Sequence, residues 1–205
     1  MKFLKMLVLV AATGAALLAA IGAGSATATT TLCKTTESAC SFANMWPEGE
    51  TFSSSLVTGT KSVFTPDGEL PTIECSGSSI GGITETTTTP EGKVSTLTFT
   101  SCNNTVEILE RGKFQIHWDV AQNGELTISG MRIRTKAYFG ALSCDFGGTI
   151  SSGITMTSGG PAKLTITASV PMIQETGIIP CPLATVWHGE YTVSKPDPLY
   201  VNSGV

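Results

Sequence analysis

After residue 28 the apolar residues recur with a period of two, the spacing of strands that bury one face and wet the other. In Phe114-Gln115-Ile116-His117-Trp118-Asp119-Val120 the apolar members fall on even numbers, and in Ile133-Arg134-Thr135-Lys136-Ala137-Tyr138-Phe139 they fall mostly on odd ones. Leu164, Ile166 and Ala168 repeat the pattern. Between such runs stand Pro47-Glu48-Gly49, Pro66-Asp67-Gly68, Pro90-Glu91-Gly92, Asn123-Gly124 and Ser158-Gly159-Gly160-Pro161. Each supplies a preset φ or tolerates a positive one, as turns require. No window beyond the first residues has helical periodicity. The pattern predicts an all-β fold of antiparallel hairpins, either a two-sheet sandwich or an irregular barrel of about ten strands.

Two hairpins can be argued to their register. A two-residue turn at Asn123-Gly124 would set Ile128 against Asp119, mixing apolar and polar side chains on one face. A three-residue loop of Gln122-Asn123-Gly124 instead sets Leu126 against Val120 and Ile128 against Trp118, with Gly124 in a left-handed bulge. At Pro90-Glu91-Gly92 the same reasoning sets Val94 against Thr88 and Phe99 against Ile83, which joins a strand over Thr84–Thr89 to Val94–Thr100. The tail Lys195-Pro196-Asp197-Pro198-Leu199-Tyr200-Val201 is excluded from a central strand by its prolines and is expected to run extended along the surface.

The first residues follow a different pattern. Lys2 and Lys5 precede an almost unbroken apolar run from Met6 to Gly24, followed by Ala26-Thr27-Ala28. This reads as a signal peptide over 1–28, cleaved after about Ala28, ahead of a single secreted β domain over 29–205. The run approaches membrane length, but its alanine, glycine and threonine content and the small residues after it favour cleavage over an anchor. Leu32 before Cys33 does not fit a lipid-anchor site.

Export changes how the six cysteines are read. Cys33, Cys40, Cys75, Cys102, Cys144 and Cys181 would mature in an oxidising compartment, where they serve as staples. Six cysteines allow fifteen pairings. Sequence neighbours in hairpin folds tend to be neighbours in space, which favours Cys33–Cys40, Cys75–Cys102 and Cys144–Cys181. A metal or thiol site would call for a C-x-x-C or Cys–His cluster at ligand spacing, and the chain has neither. No cofactor or metal is expected.

The chain carries 12 basic and 16 acidic residues, for a formal charge of −4. Loss of Lys2 and Lys5 with the leader takes this to −6. Nucleic acid is therefore not an expected partner. An extracellular or cell-envelope partner is, with no membrane association after cleavage.

Four groups of side chains have candidate chemistry. His117 with Asp119, and His188 with Glu190, each share a strand face. Were those strands adjacent, they would converge as metal ligands or as the acid–base pair of a secreted hydrolase. Arg132, Arg134 and Lys136 form a basic stripe that would suit an anionic polymer or a solvated outer face. Trp187 and Tyr191 share a face at spacing four, as a sugar-binding platform or as core. Trp46 either is exposed or covers one end of the sheet. Asn103-Asn104-Thr105 is a formal glycosylation sequon. There is no G-x-S-x-G, and Ser76-Gly77-Ser78-Ser79 reads as turn-forming. Gly147-Gly148 and Gly159-Gly160 read as loop or bulge glycines, because no helix follows to cradle a phosphate.

Leu32-Cys33-Lys34, Ile73-Glu74-Cys75, Leu97-Thr98-Phe99-Thr100-Ser101-Cys102, Cys181-Pro182 ahead of Ala184 and Trp187, and Pro198-Leu199-Tyr200-Val201 together carry a resemblance. The arrangement resembles a group of uncharacterised secreted proteins from high-GC Gram-positive bacteria, over most of the chain after the leader. That resemblance implies secretion and paired cysteines, and carries no activity, ligand or catalytic residue. The expected function is a non-enzymatic extracellular or cell-surface role in binding or structure. A histidine-dependent hydrolase and a carbohydrate-binding module are the alternatives.

Overall fold

The computed structural model describes residues 29–203, apart from 38–39, 69, 87–89, 120–122, 138–140 and 178–179. The alternating segments become thirteen strands: β1 (Thr30–Cys33), β2 (Thr51–Leu56), β3 (Ser62–Pro66), β4 (Ile73–Thr84), β5 (Glu91–Cys102), β6 (Thr105–Glu110), β7 (Lys113–Trp118), β8 (Gly124–Ala137), β9 (Leu142–Ile150), β10 (Ile154–Thr157), β11 (Lys163–Gly177), β12 (Ala184–Lys195) and β13 (Tyr200–Ser203). A single 3-10 turn at Phe42–Asn44 is the only helical element among the described residues. The count exceeds the ten or so expected because β1, β3, β10 and β13 are only four or five residues long. Runs that short hold too few alternations to register as a pattern.

The strands β4, β5, β7, β8, β9, β11 and β12 pair in succession, all antiparallel. From β12 the ladder returns to β4 through β2 at one end and β3 at the other. It therefore closes on itself as an irregular barrel, which leaves few free edges. Closure depends on β11 changing partner. Its Lys163–Pro171 half lies against β12, and from Met172 onward it lies against β9, with a bulge between Met172 and Gln174. β6 extends the β7 edge of β8, and β10 bridges β11 and β8.

One continuous cluster of buried side chains runs from Leu32 to Val201. It draws on the even positions of β11 (Leu164, Ile166, Ala168, Val170) and the odd positions of β12 (Trp187, Tyr191, Val193), as period two requires.

Both hairpin registers are corrected. Across β7 and β8, Ile116 faces Leu126 and Phe114 faces Ile128, while Trp118 faces Gly124. The Asp119 N–H donates to the Asn123 carbonyl. The centre of the pairing is thus displaced two residues toward the N-terminus from the expected register, and residues 120–122 lie outside the described residues. The faces are unchanged because the shift is even. Gly124 is ordinary strand without a positive φ. Its missing side chain makes room, because a Cβ there would stand 3.1 Å from the Val201 methyls.

Across β4 and β5, Val94 faces Gly82 and Phe99 faces Ser78. Of the strand expected over Thr84–Thr89, Thr84 is the last residue of β4 and 87–89 lie outside the described residues, while Glu91 and Gly92 already belong to β5. The Phe114 ring accounts for this register. A Cβ on Gly82 would come within 2.5 Å of that ring and one on Gly92 within 2.9 Å, so the bare backbones at both positions are packed onto it.

The tail is corrected as well. Leu199 and Val201 are fully buried, and Tyr200–Ser203 pairs antiparallel with β1 in a two-stranded ribbon over one end of the barrel. Thr30 Oγ1 accepts the Trp118 N–H at 2.7 Å, tying this ribbon to β7.

All three sequential disulfides form: Cys33–Cys40, Cys75–Cys102 and Cys144–Cys181. Cys75 and Cys102 lie directly opposite one another in the β4–β5 ladder. Intact-mass measurement with an alkylating reagent is therefore expected to add no label to the native protein and six labels after reduction. A labelled pair in the native protein would remove one of these bridges.

Candidate functional site

The histidine constellation does not assemble. His117 is exposed on β7, across from Glu125 on β8, and Asp119 follows at the strand end. His188 is exposed on β12 between Thr167 and Val63, with its Nδ1 3.1 Å from Thr167 Oγ1, and Glu190 faces Thr165. β7 pairs with β5 and β8, whereas β12 pairs with β11, β2 and β3, so the two pairs share no neighbouring strand. Among the described residues no group of three or more His, Cys, Asp and Glu side chains converges as metal ligands would.

The aromatic pair is core. Trp187 and Tyr191 are both fully buried, which removes them as a platform for sugar rings. Trp187 stacks on Phe64 at 5.8 Å and meets Phe99 edge-on at 5.5 Å. Its indole N–H donates to Ser62 Oγ at 2.9 Å, and the Tyr191 hydroxyl donates to the same oxygen at 3.3 Å. With its proton committed there, Tyr191 accepts from Ser78 Oγ at 2.9 Å. Burial pushes the Tyr191 phenol above its ordinary range. Gly189 permits the arrangement, since a Cβ there would come within 2.8 Å of the Tyr191 ring. A spacing of four on a strand shows that two aromatics share a face but not which face turns inward.

Compared with family models, curated proteins and solved structures, the chain matches none of them.

The basic stripe is neutralised by neighbours distant in sequence. Asp145 on β9 accepts from Arg132 Nε at 3.1 Å and Nη2 at 2.6 Å, and from Arg134 Nε at 2.7 Å and Nη2 at 3.0 Å. Arg132 Nη2 also reaches Gln174 Oε1 on β11 at 2.8 Å, and Lys136 pairs with Glu107 on β6. The Arg134 guanidinium, then Arg132, holds the Asp145 carboxyl below its ordinary range against the opposing effect of burial. Four strands, β6, β8, β9 and β11, are thereby tied across their outer surface, a use that alternation along β8 alone does not reveal.

Trp46 covers an end of the structure. Its indole N–H donates to the Pro198 carbonyl at 3.2 Å, and Lys34 Nζ stands 5.1 Å from its ring centre. Asn103 of the sequon is exposed and ties its side chain to the start of β4, accepting the Glu74 N–H at 2.9 Å and donating to the Thr72 carbonyl at 3.0 Å. Gly147-Gly148 lie in β9 at its register shift against β8, and Gly159 bridges to Leu199.

The groups left for recognition are therefore on the outer surface. One place gathers several of them: a shallow depression of about 430 Å³ lined by Lys93, Glu110, Gly112, Lys113, Ser129 and Gly130. A small crevice of about 20 Å³ between Leu70, Pro71, Leu142 and Phe146 is too narrow for a ligand larger than water.

Proposed function

We propose that this chain is a secreted, non-enzymatic protein that binds a partner at its outer surface, in the extracellular space or at the cell envelope. The observation that carries the reading is the use of the interior: the side chains offered as a binding platform, Trp187 and Tyr191, are spent on packing the barrel. Three disulfides support an oxidising destination. Cleavage after about Ala28 agrees with β1, whose first residue, Thr30, is already buried. The resemblance to secreted proteins of high-GC Gram-positive bacteria points the same way.

The test is expression with the leader, followed by recovery of a species whose mass matches residues 29–205 and fractionation between medium and envelope. Sedimentation with isolated envelope is expected, and it should be unchanged when His117 and His188 are both replaced by alanine. A hydrolytic activity toward ester, peptide or glycoside substrates that disappears in that double variant would overturn the reading in favour of a histidine-dependent enzyme.

A further inference from the structure

Two cations are set directly against one another at the edge of the barrel. Lys93 lies opposite Lys113 in the β5–β7 ladder, and Lys113 lies opposite Ser129 in the β7–β8 ladder. All three belong to the outer face, since Gly92, Val94, Phe114 and Ile128 beside them are buried. Directly opposed residues on one face hold their Cβ atoms about 4.5–5.5 Å apart, where like charges destabilise the pair. Glu85 offsets one charge through its ion pair with Lys93 at 2.9 Å. Lys113 has no ion-pair partner among the described residues.

Beside this pair stand two glycines with positive φ, Gly112 at 77° in the turn between β6 and β7 and Gly130 at 67° in β8 at its register shift against β9. Both glycines line the depression together with Lys93, Lys113, Ser129 and Glu110. The two glycines pack closely: a Cβ on Gly112 would come within 2.3 Å of the Ser129 carbonyl oxygen, whereas one on Gly130 meets nothing nearer than the Gly112 Cα at 3.9 Å.

We propose that this depression binds hydrogen phosphate, free or as a singly protonated phosphomonoester. Two ammonium groups and a hydroxyl donate to the phosphate oxygens, and lysine is suited to phosphate as a compact point charge. Glu110 sets the selectivity. An ionised carboxylate only accepts, so it repels a fully deprotonated oxyanion but receives the P–OH proton of hydrogen phosphate. Sulfate has no such proton at neutral pH and is disfavoured. A phosphomonoester, whose second ionisation falls near about pH 6, binds below that pH and weakens above it. The site gives the outer-surface reading a ligand class and rests on that reading only for its biological setting.

The oxidised protein, labelled for amide NMR, is titrated at neutral pH with inorganic phosphate and separately with sulfate, chloride holding the ionic strength constant. The expected result is saturable shifts at Gly112, Lys113 and Gly130 with phosphate, and at least about tenfold weaker binding of sulfate. Lys113→Gln should weaken phosphate by about tenfold, and Glu110→Gln should narrow the gap by strengthening sulfate. A phosphomonoester titrated at pH values either side of its second ionisation separates the two sources. Shifts that never saturate, match between the two anions and persist in Lys113→Gln would overturn the site, with each variant's peak dispersion reporting that it is folded. If phosphate fails here while envelope sedimentation persists, the site falls and the outer-surface reading stands. If phosphate binds while envelope sedimentation is absent, the site stands and the outer-surface reading falls.

Discussion

Replacing Trp187 with alanine is expected to destabilise the protein by about 4 kcal/mol, within the range for large aromatic side chains removed from a core. The indole is fully buried, stacked on Phe64 and edge-on to Phe99 at the point where β12 passes from β3 to β2. Its removal leaves a cavity between β3, β5 and β12 and takes one donor from Ser62. A domain with a total stability of about 5–15 kcal/mol would then be close to unfolding. Trp187→Phe separates the two contributions: it keeps most of the ring and loses the N–H, for an expected cost of about 1–2 kcal/mol. Urea unfolding followed by circular dichroism supplies both values, with m-values compared to confirm that the same surface is exposed. If the alanine variant lost under about 1 kcal/mol, the indole would be peripheral and a ligand-facing role for it would reopen.

The fold class was legible because period two and turn residues are local properties. β7 and β11 begin one residue before the alternating runs at Phe114 and Leu164, and the run at Ile133 starts within β8. The three disulfides were legible for a related reason, since a meander keeps successive strands adjacent and the cysteines follow that order. Register was not. The faces of Phe114, Ile116, Leu126 and Ile128 are the same in either register, because a shift by an even number leaves every side chain on its face. What decides between registers lies elsewhere in the chain: the Phe114 ring against Gly82 and Gly92, and Val201 against Gly124.

The candidate sites divide along the same line. His117 and His188 share a polar face with their acids as expected, but whether they meet depends on strand order, which no local pattern carries. The opposition of Lys93 and Lys113 is hidden from the sequence for the same reason. They are twenty residues apart in sequence and become neighbours only through the short three-residue pairing of β5 with β7. Arg132 and Arg134 posed the opposite problem. Their alternation was plain, while their partner Asp145 was hidden eleven or more residues away on another strand.

Asp145→Asn is expected to cost about 3 kcal/mol near neutral pH, at the lower end for breaking a buried ion pair because its cover is guanidinium and not hydrocarbon. The Asp145 side chain is only 3% exposed, whereas its partners remain 27% and 30% exposed and keep access to solvent screening. Asparagine preserves the shape but leaves two guanidinium groups facing each other without a counter-charge, and it loosens the tie between β8, β9 and β11 through Gln174. The pH dependence follows from the lowered carboxyl pKa. A carboxyl held lower in the folded chain than in the unfolded one contributes stability that is fully present above the unfolded value of about 4 and is lost as pH falls through the folded value. The gap in urea midpoint between the native protein and Asp145→Asn should therefore be constant from neutral pH down to about 5 and close below about 4. A gap that stays open at low pH would assign the loss to packing at β9, and one absent at neutral pH would make the charge lock dispensable.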